Sequence, residues 1–194
     1  MSELGERDVH VWVVPLDDPD KKRRRELAHL AERRVLGAYL GVTPATVEIT
    51  HGPAGKPRLA GDELQFNLSH SERLALLAVT RTLPVGVDVQ APHPTAEKTW
   101  FAKRICTARE YEQFLNDPRP DELLRLWARK ESVIKARGLG SYIAVADIDV
   151  LDSEVEGGWL CVDLDLGDAS TYHAAVTVQR EPGVAVTTFS FSWD

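Results

Sequence analysis

Apolar residues along the chain fall into short runs and alternations that are typical of strands. Many of these segments are separated by turns that contain glycine or proline. The pattern predicts strands at residues 9–16, 47–50, 65–68, 74–80, 84–90, 144–151, 159–166, 171–179 and 184–193.

Longer segments carry apolar residues at helical spacing and have helix signals at their ends. Helices are predicted at residues 20–40, 95–103, 107–115 and 120–137. Thr107 with Glu110 three residues later is the signature of a capping box. Pro92 and Pro94 break the pattern between the early and late elements. The sequence therefore predicts an α+β fold made of two units joined near residues 90–94.

The helix at residues 120–137 carries a carboxylate between two lysines. Glu131 and Lys135 are four residues apart and therefore share a face of this helix, while Lys130 precedes Glu131 directly. Such a cluster suits a metal-bound phosphate. The simpler interpretation is a solvated Glu–Lys pair, which stabilises a helix by about 0.2 to 0.5 kcal/mol.

Short polar residues follow one another in the segment from Phe66 to Ser71. Ser69, His70 and Ser71 offer donors that suit phosphate oxygens, with Asn67 nearby. A capped turn between two strands has a similar composition. The segment alone therefore does not distinguish a phosphate site from such a turn.

Asp88 and Gln90 are two residues apart in a predicted strand. Both side chains then point to one face of the strand, while Val87 and Val89 point to the other. A carboxylate and an amide oxygen on one face suit a hard cation such as magnesium. The alternative is an acidic strand end that faces water.

Composition and charge are those of an ordinary globular protein and exclude several classes. The 194 residues are 43% hydrophobic and 27% charged, with a net charge of -7. An acidic chain is a poor nucleic-acid binder, because such a surface must neutralise phosphates. No apolar stretch reaches the roughly 20 residues of a membrane helix, and the N-terminus does not have the pattern of a secretory signal. We therefore expect a cytoplasmic protein that binds neither nucleic acid nor membrane.

The cysteines and the basic residues add two further points. Cys106 and Cys161 are too few and too far apart in the sequence for a disulfide framework or a zinc site. Residues 21–25 and Arg33 with Arg34 make the first helix basic. Such a run is usually a solvated helix face. If a phosphate-rich ligand binds nearby, the same residues would attract that ligand.

Taken together and in order, three segments resemble the signature of the surfactin-synthetase type of 4'-phosphopantetheinyl transferase. The family pattern is a Ser-His-Ser turn, a Gly-Val/Ile-Asp-Val/Ile-Glu strand and a Trp-x-x-Lys-Glu-x-x-x-Lys helix. The matching segments here are residues 69–71, 86–90 and 127–135, and Gly55-Lys56-Pro57 also resembles the family. One position departs from the pattern, because Gln90 stands where many relatives carry glutamate.

The resemblance implies a pseudodimer of two similar α+β subdomains with the active site in the cleft between them. The expected division is residues 1–90, on the coenzyme A side, and residues 91–194, which carry the motif helix. The implied reaction is magnesium-dependent transfer of the phosphopantetheine arm of coenzyme A to a serine of an acyl or peptidyl carrier protein, releasing 3',5'-ADP. A monomer serving polyketide, nonribosomal peptide or fatty-acid synthesis is expected.

The resemblance also implies roles for individual residues. Asp88, Glu131 and a weakened Gln90 would hold magnesium, and Lys135 would stabilise the bridging or leaving oxygen. Glu131, directly or through a water, is the candidate base for the serine proton, and Lys130 is a second candidate. The residues expected to contact coenzyme A are Ser69, His70, Lys56, Arg34 and Lys135, with Arg34 at the 3'-phosphate.

Two related functions remain as alternatives. A non-catalytic homologue would bind coenzyme A or a carrier protein without transfer. A metal-dependent hydrolase would cleave the same pyrophosphate with water as the acceptor in place of a protein serine.

Overall fold

The computed structural model describes residues 3–52, 54–61, 63–93, 99–139 and 145–193. Helices and sheets occur together, which confirms the α+β class. The elements, numbered in chain order, are β1 (Asp8–Pro15), α1 (Lys21–Leu40), β2 (Ile49–His51), β3 (Pro57–Leu59), β4 (Gln65–Ser71), β5 (Leu74–Thr80), β6 (Val85–Gln90), α2 (Thr99–Ile105), α3 (Ala108–Asn116), α4 (Pro120–Arg137), β7 (Glu154–Val155), β8 (Trp159–Asp163), β9 (His173–Gln179) and β10 (Ala185–Ser190). Short 3-10 helices lie at Pro44–Thr46, Val145–Asp147 and Gly167–Ala169.

The first sheet has the strand order β10-β1-β5-β4. β10 runs parallel to β1, and the other neighbours are antiparallel. α1 begins where the Asp20 side chain accepts a hydrogen bond from the Arg23 amide, and it ends at Gly41, whose φ of 69° favours glycine. Ala28 and Ala31 form a core cluster with residues of β1 and β5, so α1 covers one face of this sheet.

The second sheet has the strand order β6-β9-β8-β7, with antiparallel neighbours throughout. α4 packs on β6 and β9. It begins at Pro120, where a helix needs no backbone donor, and it ends at Gly138 with φ 63°. The capping box of Thr107 and Glu110 at the start of α3 is confirmed.

The two sheets share one apolar core. Alternate residues of β1, β5, β6 and β9 point into it, including Val85, Val87 and Val89 of β6. Because side chains alternate along a strand, Asp88 and Gln90 lie on the opposite face of β6, towards α4. The predicted facing of this strand is therefore confirmed.

The strand predicted at residues 144–151 is wrong in the described residues 145–151, and residue 144 lies outside them. Residues 145–147 form a 3-10 helix, and residues 148–150 have no regular structure. The reason lies in α4, whose buried cations bond the carbonyls of this segment. The Arg129 guanidinium donates to the Val150 carbonyl, and the Lys130 ammonium donates to those of Val145 and Ile148. These carbonyls therefore have α4 side chains as partners instead of a neighbouring strand.

Other boundaries differ by a few residues. The helix predicted at 95–103 is described as Thr99–Ile105, and residues 95–98 lie outside the described residues. The late strands are shorter than predicted, because the alternation continues into the loops. β3 and β7, of three and two residues, were not predicted.

Strand pairing crosses the expected division after Gln90. β6 precedes that position and pairs in the second sheet, whereas β10 near the C-terminus pairs in the first. A cut at residue 90 therefore does not separate the two sheets. None of the helices in the described ranges is long and apolar enough to span a membrane.

Candidate active site

Side chains of β4 join the first sheet to β6 of the second. Asn67 Oδ1 accepts a 2.9 Å hydrogen bond from the Val87 amide, and Ser71 Oγ accepts a 3.0 Å bond from the Ala91 amide. Asn67 and Ser71 are four residues apart on a strand and share a face with Ser69 between them. The polar segment predicted as a phosphate site is thus partly a seam between the sheets.

Asp88 lies at this seam with only 3% of its surface exposed. Its Oδ1 accepts hydrogen bonds from Ser69 Oγ at 2.8 Å and from Lys135 Nζ at 2.6 Å. Its Oδ2 accepts one from Gln90 Nε2 at 2.6 Å. Three donors, one of them a cation, therefore stabilise the charge of this buried carboxylate.

Gly86 allows α4 to approach β6 closely. A Cβ atom at this position would lie 2.2 Å from the Ser132 carbonyl oxygen and 2.3 Å from the Ala136 amide nitrogen, so any other residue would push the helix away. The contact places Lys135 over the strand. Its ammonium donates to Ser69 Oγ at 3.0 Å and to the Val87 carbonyl at 3.2 Å, in addition to Asp88.

Glu131 lies one helical turn before Lys135 and is partly buried. Burial raises the pKa of its carboxyl, the nearby Asp88 raises it further, and Lys135 offsets part of this effect. No residue in the described ranges donates a hydrogen bond to this carboxylate, so its oxygens are available to a ligand.

These side chains fit a magnesium site of the kind that relies on substrate oxygens. The described residues contain no cluster of three or more His, Cys, Asp and Glu side chains that would form a complete metal cage. Magnesium commonly binds one or two carboxylates and takes its other ligands from water and substrate phosphates. Asp88 and Glu131 supply two carboxylates, and Gln90 supplies a neutral amide beside them.

Lys130 directly precedes Glu131 in the sequence, but its side chain lies away from Asp88 and Lys135. It is fully buried, and its ammonium pairs with Glu110 at 2.7 Å. It also donates to carbonyls of the segment that follows α4. The structure therefore does not bring Lys130 together with Asp88, and this geometry does not fit its expected role as a second base.

His70 points away from the seam and is exposed. Partial removal of its ring from water lowers its pKa, and four basic side chains lower it further: His29, Arg25, Lys135 and Lys21. Three of these basic residues come from α1. The surface around His70 is therefore an anion-attracting region.

Lys21, Arg25 and His29 are spaced four residues apart and so line one face of α1. Their spacing in the sequence indicates a shared face, but their place beside His70 follows only from the packing of α1. His29 Nδ1 lies 3.1 Å from Oε2 of Glu32, a buried carboxylate, which fixes the ring. These residues are the main addition that the structure makes to the candidate site.

Arg34 and Lys56 have protein partners in the structure. Arg34 Nη1 donates to the Trp193 carbonyl at 3.2 Å, and its guanidinium lies 5.7 Å from the centre of the Trp193 ring. Five residues along a helix separate Arg34 from His29, which places them on different faces of α1. Lys56 Nζ donates to the carbonyls of Val85 and Ala136.

The family model and three relatives that match this chain are all described as 4'-phosphopantetheinyl transferases. A family model described as "4'-phosphopantetheinyl transferase superfamily" matches residues 84–188, a range that includes Asp88, Glu131 and Lys135. The chain is 35% identical over 167 residues to "4'-phosphopantetheinyl transferase HetI" of Nostoc sp., covering 69% of this chain and 70% of that protein. It is 32% identical over 156 residues to "4'-phosphopantetheinyl transferase AcpT" of Escherichia coli K12, covering 78% of this chain and 67% of that protein. It is 29% identical over 125 residues to "4'-phosphopantetheinyl transferase gsp" of Aneurinibacillus migulanus, covering 63% and 51%.

Proposed function

The chain belongs to the 4'-phosphopantetheinyl transferase superfamily, and we propose that Asp88, Glu131 and Lys135 carry its reaction. The enzyme transfers the phosphopantetheine arm of coenzyme A to a serine of a carrier protein, releasing 3',5'-ADP. The observation that carries our assignment is the approach of α4 to β6 at Gly86, which brings the Lys135 ammonium to 2.6 Å from Asp88.

Magnesium is the metal that these residues suit, held by Asp88 and Glu131. A bound magnesium ion would hold the pyrophosphate of coenzyme A and draw charge from its oxygens. Gln90 offers only a neutral amide, and its Nε2 already donates to Asp88. Its direct effect is thus to orient the Asp88 carboxylate, and its Oε1 is the atom that remains for a ligand.

Lys135 and Glu131 have complementary tasks in phosphoryl transfer. Most of the catalysis in such reactions comes from positioning and from neutralising oxygen charge. The Lys135 ammonium stabilises the negative charge that develops on the bridging or leaving oxygen. Glu131, directly or through a water that it positions, accepts the serine proton.

The 3'-phosphate of coenzyme A is better matched by the cations around His70 than by Arg34. Lys21, Arg25 and His29 share one helix face beside His70, whereas Arg34 is engaged with the C-terminal segment. A dianionic phosphate at this face gains several charge-assisted hydrogen bonds. We therefore assign the 3'-phosphate to this face.

Two similar halves are supported by the strand connections. In each four-stranded sheet an early strand is followed by one or more helices and later by a hairpin, whose second strand pairs with the early one: β1 with β5, and β6 with β9. We infer a pseudodimer of the surfactin-synthetase type, with β10 added to the first half and β7 to the second. Ser69, Asp88 and Glu131 come from one chain, so a monomer can form the site. A cytoplasmic location remains our proposal from the sequence pattern, and carriers of polyketide, nonribosomal peptide or fatty-acid synthesis are what the resemblance implies.

One experiment tests the function against its alternatives. The protein is incubated with coenzyme A, magnesium and a panel of apo carrier proteins, and the intact mass of each carrier is measured by mass spectrometry. We expect one phosphopantetheine to be added to at least one carrier, with loss of the addition when its serine is replaced by alanine. Coenzyme A cleavage without carrier modification would identify a hydrolase. Binding without either product would identify a non-catalytic homologue.

A further inference from the structure

Lys56 connects the first half of the chain to the end of the motif helix. Its ammonium donates to the Val85 carbonyl at 2.8 Å, where β6 begins, and to the Ala136 carbonyl at 3.4 Å, in the last turn of α4. The last four carbonyls of a helix have no partner within the helix. Lys56 therefore caps the end of α4 and ties this end to β6.

The hairpin formed by β2 and β3 holds this lysine in place. The Gly52 amide donates to the Lys56 carbonyl at 2.9 Å, and Gly55 adopts φ 82° immediately before it. The Lys56 side chain also passes Gly138, whose added Cβ would lie 3.9 Å from its Cδ. Lys56 is thus fixed at the turn that ends α4.

A second lysine bonds the same strand two residues later. Lys135 donates to the Val87 carbonyl, as Lys56 does to that of Val85. Ala136, which accepts from Lys56, follows Lys135 directly. A shift of the helix end that breaks the Lys56 contact would therefore move the Lys135 ammonium relative to Asp88.

We propose that Lys56 is a positioning residue that fixes the end of α4 on β6 and so sets the place of the Lys135 ammonium. This inference rests on the proposed function, because it assigns Lys56 to the chemical step of that same site. It replaces the expected role of Lys56 as a contact of coenzyme A. Burial lowers the pKa of Lys56 to about 8, as expected for an ammonium turned into the protein.

The test compares Lys56→Met, which keeps the aliphatic length, with Lys56→Arg, which keeps a cation that can donate to two carbonyls. Arg58→Met is the matched control, because Arg58 is exposed on β3 of the same hairpin and the change removes the same charge. Transfer kinetics are measured with coenzyme A as the varied substrate. Amide hydrogen exchange is followed at Gly138 and Leu139, whose amides bond carbonyls of the last turn of α4.

For Lys56→Met we expect kcat to fall by about tenfold or more while the KM for coenzyme A changes by less than about threefold. Lys56→Arg should recover most of kcat, and Arg58→Met should behave as wild type. Exchange at Gly138 and Leu139 should become faster in Lys56→Met alone.

A rise in the KM for coenzyme A with unchanged kcat would overturn the proposal and restore the ligand role. Unchanged exchange at Gly138 and Leu139 would also overturn it. If wild type itself transfers nothing to any carrier, the proposed function fails, and the exchange measurement still decides whether Lys56 fixes the helix end.

Discussion

The Lys135 ammonium lies 2.6 Å from Oδ1 of Asp88, and this ion pair joins α4 to β6. Asp88 is buried and has two further donors, whereas Glu131 one turn earlier has none among the described residues. The two carboxylates therefore differ in their availability. Asp88 is held in place by three protein donors, and Glu131 has no such donors among the described residues.

Replacing Glu131 by glutamine should abolish transfer and leave the fold intact. The variant keeps the size of the side chain and removes a charge to which no residue in the described ranges donates a hydrogen bond. We expect kcat/KM to fall by about 100-fold or more, with a Tm within about 2 °C of wild type. Glu112→Gln on the exposed side of α3 is the control. Near-normal turnover of Glu131→Gln would contradict its assignment as a metal ligand and base.

His70→Ala should weaken the binding of coenzyme A more than it slows the reaction. His70 is exposed among cations of α1 and points away from the Asp88 seam, so it contacts a peripheral phosphate in our assignment. We expect the KM for coenzyme A to rise by about tenfold, with kcat changed by less than about threefold. With dephospho-coenzyme A, the KM difference between wild type and variant should largely disappear. A loss confined to kcat would instead place His70 in the chemical step.

Lys130→Met should destabilise the protein without a specific effect on catalysis. The substitution leaves Glu110 as a buried carboxylate without its cation, which commonly costs about 3–5 kcal/mol. Denaturant unfolding of the variant and of Lys103→Met, an exposed lysine on α2, measures the difference. If Lys130 were the base, the variant would lose turnover even under conditions where it is fully folded.

Lys135 and Lys130 come from the same motif, but the structure places only Lys135 beside Asp88. Helical spacing places Glu131 and Lys135 on one face of α4, in agreement with the structure. Strand alternation places Asp88 and Gln90 on one face of β6, which the structure also shows. The spacing did not show that Lys130 is buried, because α4 is covered on several sides and Lys130 pairs with Glu110 from α3. The packing partner, which is distant in sequence, decides the role.

The sequence also did not predict the strand order of the first sheet or the contacts of individual residues on α1. The parallel pairing of β10 with β1 joins residues almost 180 positions apart, and no local pattern specifies it. The sequence does not fix the register of α1, so it does not distinguish Arg34 from its neighbour Arg33 as a phosphate ligand. The spacing of Lys21, Arg25 and His29 shows that they share a helix face, but the position of that face beside His70 depends on how α1 packs on the sheet. The contact of Arg34 with Trp193 depends on the same packing.

The pH dependence of stability offers a test of Lys56 that does not rely on activity. Its pKa is about 8 in the folded protein and close to 10.5 when unfolded, so the unfolded state binds more protons between these values. The free energy of unfolding of wild type, relative to Lys56→Met, should therefore rise as the pH increases from 8 to 10.5. Urea unfolding across this range measures it. A difference that is constant with pH would mean that the ammonium is as well hydrated in the folded state as in the unfolded one.

Gln90→Glu tests the one departure from the family motif. The substitution replaces the amide that donates to Asp88 Oδ2 at 2.6 Å with a carboxylate. Two carboxylates at this distance repel each other without a metal, and they attract a divalent cation together. The variant should therefore have a lower Tm than wild type in EDTA, and magnesium should raise its Tm more.

The same charge change should tighten magnesium binding during turnover. We expect the magnesium concentration for half-maximal activity to fall in Gln90→Glu. Tighter magnesium binding need not raise kcat, because a more neutralised ion withdraws less charge from the pyrophosphate. We expect kcat to change by less than about tenfold, which corresponds to about 1.4 kcal/mol in the barrier. A magnesium titration of both proteins against one carrier decides the question, since an unchanged midpoint would place Gln90 outside the metal site.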